Sequence, residues 1–138
     1  MSNLPKLKGR VRIVSKYSRA LIRSMPNVLF VFGDNIARIG YGGQAAEARG
    51  EPNSVGIPTK MSPQEYLYDT QIEIAREPIV SAFVRLGEHL KNGGDIVWPR
   101  DGVGTGLARL PDTAPMLFGA IEACKQGLFS MASAVISE

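Results

Sequence analysis

The sequence has few of the residues that build metal sites, disulfide frameworks or membrane spans. One cysteine and one histidine occur in 138 residues. This excludes a disulfide framework and a multi-cysteine metal site, and we expect neither a metal nor a cofactor. No apolar run reaches about 18 residues, so a membrane-spanning helix is excluded. The basic N-terminus lacks the apolar core of a secretory signal, and we therefore expect a cytoplasmic protein.

Aromatic residues are also scarce, at 7% of the chain, and they are not interleaved with basic residues. This argues against a stacking surface for single-stranded nucleic acid. Acidic residues are absent before Asp34, whereas basic residues are frequent there: Lys6, Lys8, Arg10, Arg12, Lys16, Arg19 and Arg23. The basic segment leaves a nucleic-acid accessory protein open as an alternative. It equally fits the attraction of a phosphorylated small ligand, or a solvated surface.

The order of strand and helix patterns predicts the fold class. A chain of 138 residues supports one core, so we expect a single domain over residues 1–138. Strands are predicted at 11–14, 28–32, 54–58, 95–98 and 133–136, and helices at 18–25, 44–49, from 77 to about 92, and from 111 onward. Residues 62–76 fit either type. Cys124 is expected to pack in the core on the last helix. The alternation predicts an α/β fold with a mostly parallel sheet.

A first candidate ligand loop follows the most apolar strand. Glycine lets backbone amides approach a ligand, and the helix predicted from residue 44 would add free N–H groups and a positive dipole end. Ligands of open α/β sheets bind beyond the carboxyl ends of the strands. The candidate ligand-binding residues here are Gly33, Asp34, Asn35, Gly40, Tyr41, Gly42, Gly43 and Gln44. The two polar residues at the strand end are expected to bind sugar hydroxyls.

A second candidate loop follows the strand that ends at Trp98. Its glycines alternate with other residues, which permits left-handed turns that aim successive N–H groups at one anion. The candidate ligand-binding residues are Arg100, Gly102, Val103, Gly104, Thr105, Gly106 and Leu107. In this set the arginine would add charge and the threonine a hydroxyl.

The two loops are more informative together than alone. Each by itself is consistent with an ordinary turn, and neither matches the phosphate-loop or dinucleotide fingerprint. Parallel strands would place both loops at one sheet edge, where they could clamp a diphosphate. Asp34 and Asp101 are the carboxylates of these loops. Either would serve as a general base, or would cap backbone amides.

These residues resemble the macro domain, a three-layer α/β fold with a mixed, mostly parallel sheet between helices. Residues 98–110 (WPRDGVGTGLARL) are similar to the P-R-x-G-x-G-L-D-x-L stretch of terminal ADP-ribose glycohydrolase-like macro domains. Residues 31–45 and 57–60 also resemble uncharacterised phage-encoded macro-like proteins. The resemblance covers roughly residues 28–60 and 95–125.

The resemblance implies a ligand of the ADP-ribose type, either a small molecule or an ADP-ribosylated macromolecule. Its diphosphate would rest on the two loops, and Asn35 would contact the distal ribose. The chain would then act as a reader of ADP-ribosylation or would sequester a nucleotide, in the host cytoplasm if a phage encodes it. The alternative is a hydrolase of ADP-ribosyl groups or of ADP-ribose phosphate. No membrane partner is expected, and the oligomeric state is left open.

The chain departs from the resembling proteins at three places. Ala108 stands where the glycohydrolase-like branch has an aspartate, and residues 44–49 contain no lysine. Ser15 and Lys16 stand where macro domains have the aspartate that contacts adenine.

Overall fold

A single six-stranded sheet forms the centre of the part of the chain that the computed structural model describes, residues 6–40 and 42–138. The strands are β1 (Val11–Val14), β2 (Leu29–Asn35), β3 (Ser54–Ser62), β4 (Glu65–Tyr66), β5 (Ile96–Pro99) and β6 (Val135–Ser137). Their order across the sheet is β4-β3-β2-β5-β1-β6. All neighbouring pairs are parallel except β3 and β4. The predicted mostly parallel sheet is confirmed.

Helices cover both faces of the sheet. They are α1 (Arg19–Ser24), α2 (Ala45–Ala48), α3 (Ile72–Lys91), α4 (Leu110–Thr113) and α5 (Pro115–Met131). Successive side chains of β2 pack on opposite faces of the sheet. Phe30 and Phe32 pack on the face covered by α1 and α2, and Val31 packs in the larger core on the face covered by α3 and α5. A strand buried on both faces has the continuous apolar run seen here. The protein is a three-layer α/β fold.

Two strands extend beyond their predicted ends. β2 continues through Gly33 to Asn35, and β3 continues to Ser62. The two strands pair with each other along this extension, with Asp34 opposite Pro58. Pairing with a neighbouring strand, which the sequence pattern does not contain, carries both strands past the residues that were predicted to end them.

The predicted start of the long helix at Glu77 and Pro78 is wrong. In the ambiguous segment, β4 and a 3₁₀ turn at Asp69–Gln71 come first, and α3 begins at Ile72 with Pro78 inside it. Proline within a helix removes one backbone hydrogen bond. Burial of Ala75 and Ile79 on either side of the proline stabilises the helix there.

The last predicted helix is divided in two. Ala114 (φ −144°) separates α4 from α5, because a residue before proline avoids the helical region. The prediction that Cys124 is a core thiol is wrong, since the cysteine is exposed. α5 packs Phe118 and Phe129 against the core, and this leaves Cys124 at the edge of the buried face of the helix.

Within residues 6–40 and 42–138, every helix is too short or too polar to cross a bilayer.

Candidate functional site

The two glycine-rich loops begin side by side. β2 and β5 are parallel neighbours, with Leu29 opposite Ile96, so both strands end at the same edge of the sheet. We call residues 36–44 the first loop and residues 100–109 the second loop. The strand before the second loop is well anchored, because Trp98 is 1% exposed and packs edge-on against Phe129.

A cavity of about 320 Å³ lies between the two loops; we call it the smaller cavity. It is lined by most of the predicted site residues, namely Gly33, Asp34, Asn35, Gly40, Gly42, Gly43, Gln44, Gly104, Gly106 and Leu107. Contact across it is close, because a Cβ placed on Gly33 would lie 4.0 Å from the Gly104 backbone nitrogen. Tyr41 falls outside the described residues.

A larger cavity of about 1110 Å³ lies on the other side of the same glycines. Its walls are the second loop, the start of α2 and the segment that joins β1 to α1. Asp101, Gly102 and Thr105 line it. Gly43, Gln44 and Gly106 line both cavities, so the two cavities meet over these residues. Val103 lines neither cavity and is buried beneath the loop.

Backbone N–H groups are concentrated at this junction. Among the described residues, the N–H groups of residues 42–44 and 104–108, which line one or both cavities, have no acceptor. The N–H groups that flank them close turns instead: Gly102 donates to Pro99, and Leu110 donates to Gly104. Gly43, Gly102 and Gly104 have positive φ angles, which suits a concave arrangement of amides that binds an anion. The expected helix dipole adds little, because α2 has only four residues.

Asp34 and Asn35 hold the first loop in place. The Asn35 amide donates to the Ile39 carbonyl at 2.8 Å and accepts from the Ile39 N–H at 3.3 Å. Asp34 Oδ1 accepts from the Asn35 N–H at 2.8 Å and from Arg49 Nε at 3.1 Å. The Arg49 guanidinium also donates to the Gly40 carbonyl. These contacts fix the loop conformation, and they engage Oδ1 of the carboxylate that was expected to act as a base.

Arg100 does not face either cavity. Its guanidinium donates to Ser15 Oγ at 2.9 Å and to Ser137 Oγ at 2.8 Å. The side chain therefore ties the second loop to the ends of β1 and β6, and the charge expected from it at the site is directed elsewhere.

The segment between β1 and α1 is held by Tyr17. Its hydroxyl donates to the Val31 carbonyl inside the fold, and burial raises the pKa of the phenol. Tyr17 therefore remains a protonated donor at physiological pH. It keeps the neighbouring Lys16 and Ser18 at the wall of the larger cavity.

Several residues of the site were missed from the sequence. Arg49 and Lys60 both line the smaller cavity. The Lys60 ammonium donates to the Pro63 carbonyl at 2.7 Å and lies 5.5 Å from the ring centre of Tyr66. Neither residue lies in a glycine-rich loop. Position at a strand end was the available signal for Lys60, and no local pattern marks Arg49.

The basic N-terminal segment is largely paired within the protein. Arg10 and Arg12 contact Asp95 at 3.0 and 3.2 Å, and Arg19 and Arg23 both contact Glu51. Burial raises the pKa of Asp95, but the hydrogen bonds and charge of the arginines outweigh burial and lower it overall. These pairs leave less free positive charge for nucleic acid than the sequence suggests.

Comparison with known proteins gives one family. The sequence model of a family described as a family of unknown function (DUF7831) matches residues 12–124. No curated protein and no solved structure matches the chain.

Proposed function

The chain belongs to the DUF7831 family, whose function is unknown, and we propose that it binds an ADP-ribose-type nucleotide across the junction of its two loops. In this proposal the protein acts in the cytoplasm, as a reader of ADP-ribosylation or by sequestering a nucleotide. The ligand class is a pyrophosphate that links two ring-bearing groups.

One observation carries the proposal: two cavities of different size meet over glycines whose amides have no acceptor among the described residues. Backbone N–H groups that converge on one point bind phosphate oxygens well. Gly43 and Gly106 would therefore lie beneath the pyrophosphate. The larger cavity has room for the nucleoside, and the smaller cavity has room for the second group.

A thermal-shift series tests this division of the ligand. ADP-ribose, ADP and ribose 5-phosphate are compared at equal concentration. ADP-ribose carries both ends of the proposed ligand, ADP carries the nucleoside end with the pyrophosphate, and ribose 5-phosphate carries the sugar end with a single phosphate. A ligand at about 100 times its Kd stabilises a protein by about 2.7 kcal/mol, which corresponds to about 9 °C for a chain of this size. We expect the shift to fall in the order ADP-ribose, ADP, ribose 5-phosphate. No shift with any of them would contradict the proposal.

One observation, the position of Lys60, supports the alternative that the protein is a hydrolase. Lys60 lines the smaller cavity, where the second sugar would sit, and a lysine amine can act as a nucleophile toward a sugar carbon. Asp101 at the larger cavity and Asp34 at the smaller one are the candidate bases.

Release of ADP-ribose from an ADP-ribosylated protein distinguishes a hydrolase from a binder. Turnover by the wild type that is lost in Lys60→Ala, Asp34→Ala or Asp101→Ala supports the hydrolase. Lys91→Ala, at the exposed end of α3, is the matched lysine control. No release from any of these proteins supports binding alone.

A further inference from the structure

The outer edge of β3 is partly unpaired. Among the described residues, β4 pairs with this edge only at Lys60 and Ser62. Nearer the start of β3, a cavity of about 580 Å³ lies between the strand, residues 49–52 and α3; we call it the edge cavity. Phe32 and Val55, which belong to opposite faces of the sheet, both line it. The edge cavity therefore straddles the sheet edge, where a further strand can be added.

The backbone groups of Gly56 face the edge cavity. Phe30 lies opposite Ser54, and the Phe30 N–H donates to the Asn53 carbonyl at 2.8 Å. Backbone groups of successive residues in a strand point to opposite sides, so Ser54 and Gly56 point theirs away from β2. The Ser54 carbonyl accepts from Arg85 at 3.2 Å. In the described part of the chain, the N–H and the carbonyl of Gly56 have no partner.

A buried carboxylate oxygen lies beside Gly56. The side chain of Asp34 is 6% exposed, and it is Oδ1 that accepts from Arg49 and from the Asn35 N–H. A Cβ on Gly56 would lie 2.7 Å from Asp34 Oδ2, and no described residue donates to Oδ2. Buried polar atoms normally have a hydrogen-bond partner. One ligand in the edge cavity can therefore meet an N–H, a carbonyl and a carboxylate oxygen.

The edge cavity adjoins the smaller cavity. Asp34 and Arg49 line both, and their ion pair forms the wall between the two. A sugar bound in the smaller cavity would lie one side chain away from the edge of β3. A molecule attached to that sugar would reach the edge cavity.

We propose that the edge cavity binds an extended peptide, namely the segment of an ADP-ribosylated protein that carries the modification. This inference rests on the proposed function and specifies its ligand as a modified protein. The peptide main chain would donate to the Gly56 carbonyl and accept from the Gly56 N–H, as in recognition by strand addition. A peptide N–H or hydroxyl would donate to Asp34 Oδ2. Nucleic acid lacks the alternating N–H and carbonyl groups that pair with a strand edge.

Calorimetric titration of free ADP-ribose and of a short threonine-rich peptide with ADP-ribose on one serine tests the inference. We expect the modified peptide to bind at least about tenfold more tightly than free ADP-ribose. Ser81→Phe fills the edge cavity from α3 and should remove this advantage without changing the affinity for free ADP-ribose. Ser130→Phe, at an exposed position of α5, is the matched control.

N-methylation of the peptide tests the main-chain pairing itself. Successive N–H groups of an extended peptide point to opposite sides, so only one alternate set can face β3. Of two peptides methylated on opposite alternate sets, we expect one to lose the advantage and the other to keep it.

Equal affinity of the wild type for the modified peptide and for free ADP-ribose would overturn the peptide site and leave the proposed function standing. The same conclusion follows if the advantage survives Ser81→Phe, if the two methylated peptides bind equally, or if ADP-ribosylated single-stranded DNA binds as tightly as the peptide. Binding of neither free ADP-ribose nor the modified peptide would overturn both proposals.

Discussion

At the scale of single residues, the hydrogen bonds of Asp34, Asn35 and Arg49 explain how a glycine-rich loop keeps one shape. Asp34 and Asn35 are each 8% exposed and are bonded to the loop that follows them. Their position after a strand suggested ligand contact from the sequence. Arg49, whose guanidinium binds the Asp34 carboxylate, is 15 residues away from Asp34 in the sequence. No local sequence pattern connects the two residues.

Loss of Arg49 should destabilise the protein. Arg49→Ala leaves the buried Asp34 carboxylate without its cation, and we expect the free energy of unfolding to fall by about 2–3 kcal/mol. Urea denaturation measures the change. Arg76→Ala removes an arginine from an exposed pair with Glu73 and should change stability by about 0.5 kcal/mol or less. Equal effects of the two substitutions would show that the loop does not depend on the Asp34 contact.

At the scale of elements, the alternation of strand and helix patterns predicted the α/β class and the mostly parallel sheet, but not where several elements end. The strand at Val11–Val14 and the helix capped by Ser18 were predicted correctly, because both signals are local. The extension of β2 to Asn35 depends on pairing with β3, and the early start of α3 depends on burial of Ala75. Tertiary contacts of this kind override the local signals of glycine and proline.

The proline inside α3 should be a point of weakness. Pro78→Ala restores the N–H that can donate to the Ile74 carbonyl one turn earlier. We expect the free energy of unfolding to rise by about 1–2 kcal/mol. Thermal or urea denaturation measures the gain. A decrease in stability would mean that α3 needs the proline to fit against the sheet.

At the scale of the whole molecule, the sheet order brings together segments that are far apart in the sequence. The two loops are separated by more than 50 residues, yet they start at neighbouring strands. Parallel topology made this convergence predictable. The full lining of the two cavities was not predictable, since it includes residues outside the two loops, such as Lys60 and Leu21.

The ion pairs of Asp95 connect β1 to β5 across the sheet and should make stability depend on pH. Because the pKa of Asp95 is lower in the folded state, its ionised form stabilises the fold above the ordinary value of about 3.9. This contribution is lost as the pH falls through the lower folded pKa. The stability difference between wild type and Asp95→Asn should therefore shrink as the pH drops from about 5 toward 2.

Denaturant unfolding at several pH values measures this difference. Asp112→Asn, which removes a carboxylate that is 68% exposed, should show little change over the same range. A difference for Asp95→Asn that stays constant with pH would contradict the assigned role.

Titration of ADP-ribose into a glycine variant tests most directly whether main-chain amides at the loop junction hold the ligand. A Cβ added to Gly106 would have no atom within 4 Å, and its φ is not positive, so Gly106→Val should fold normally while filling the junction. Gly104 is unsuitable, because its φ is +84° and an added Cβ would lie 3.1 Å from Leu110. Gly127→Val, in α5, is the matched control. We predict at least about tenfold weaker binding for Gly106→Val only, whereas wild-type affinity in that variant would contradict the account.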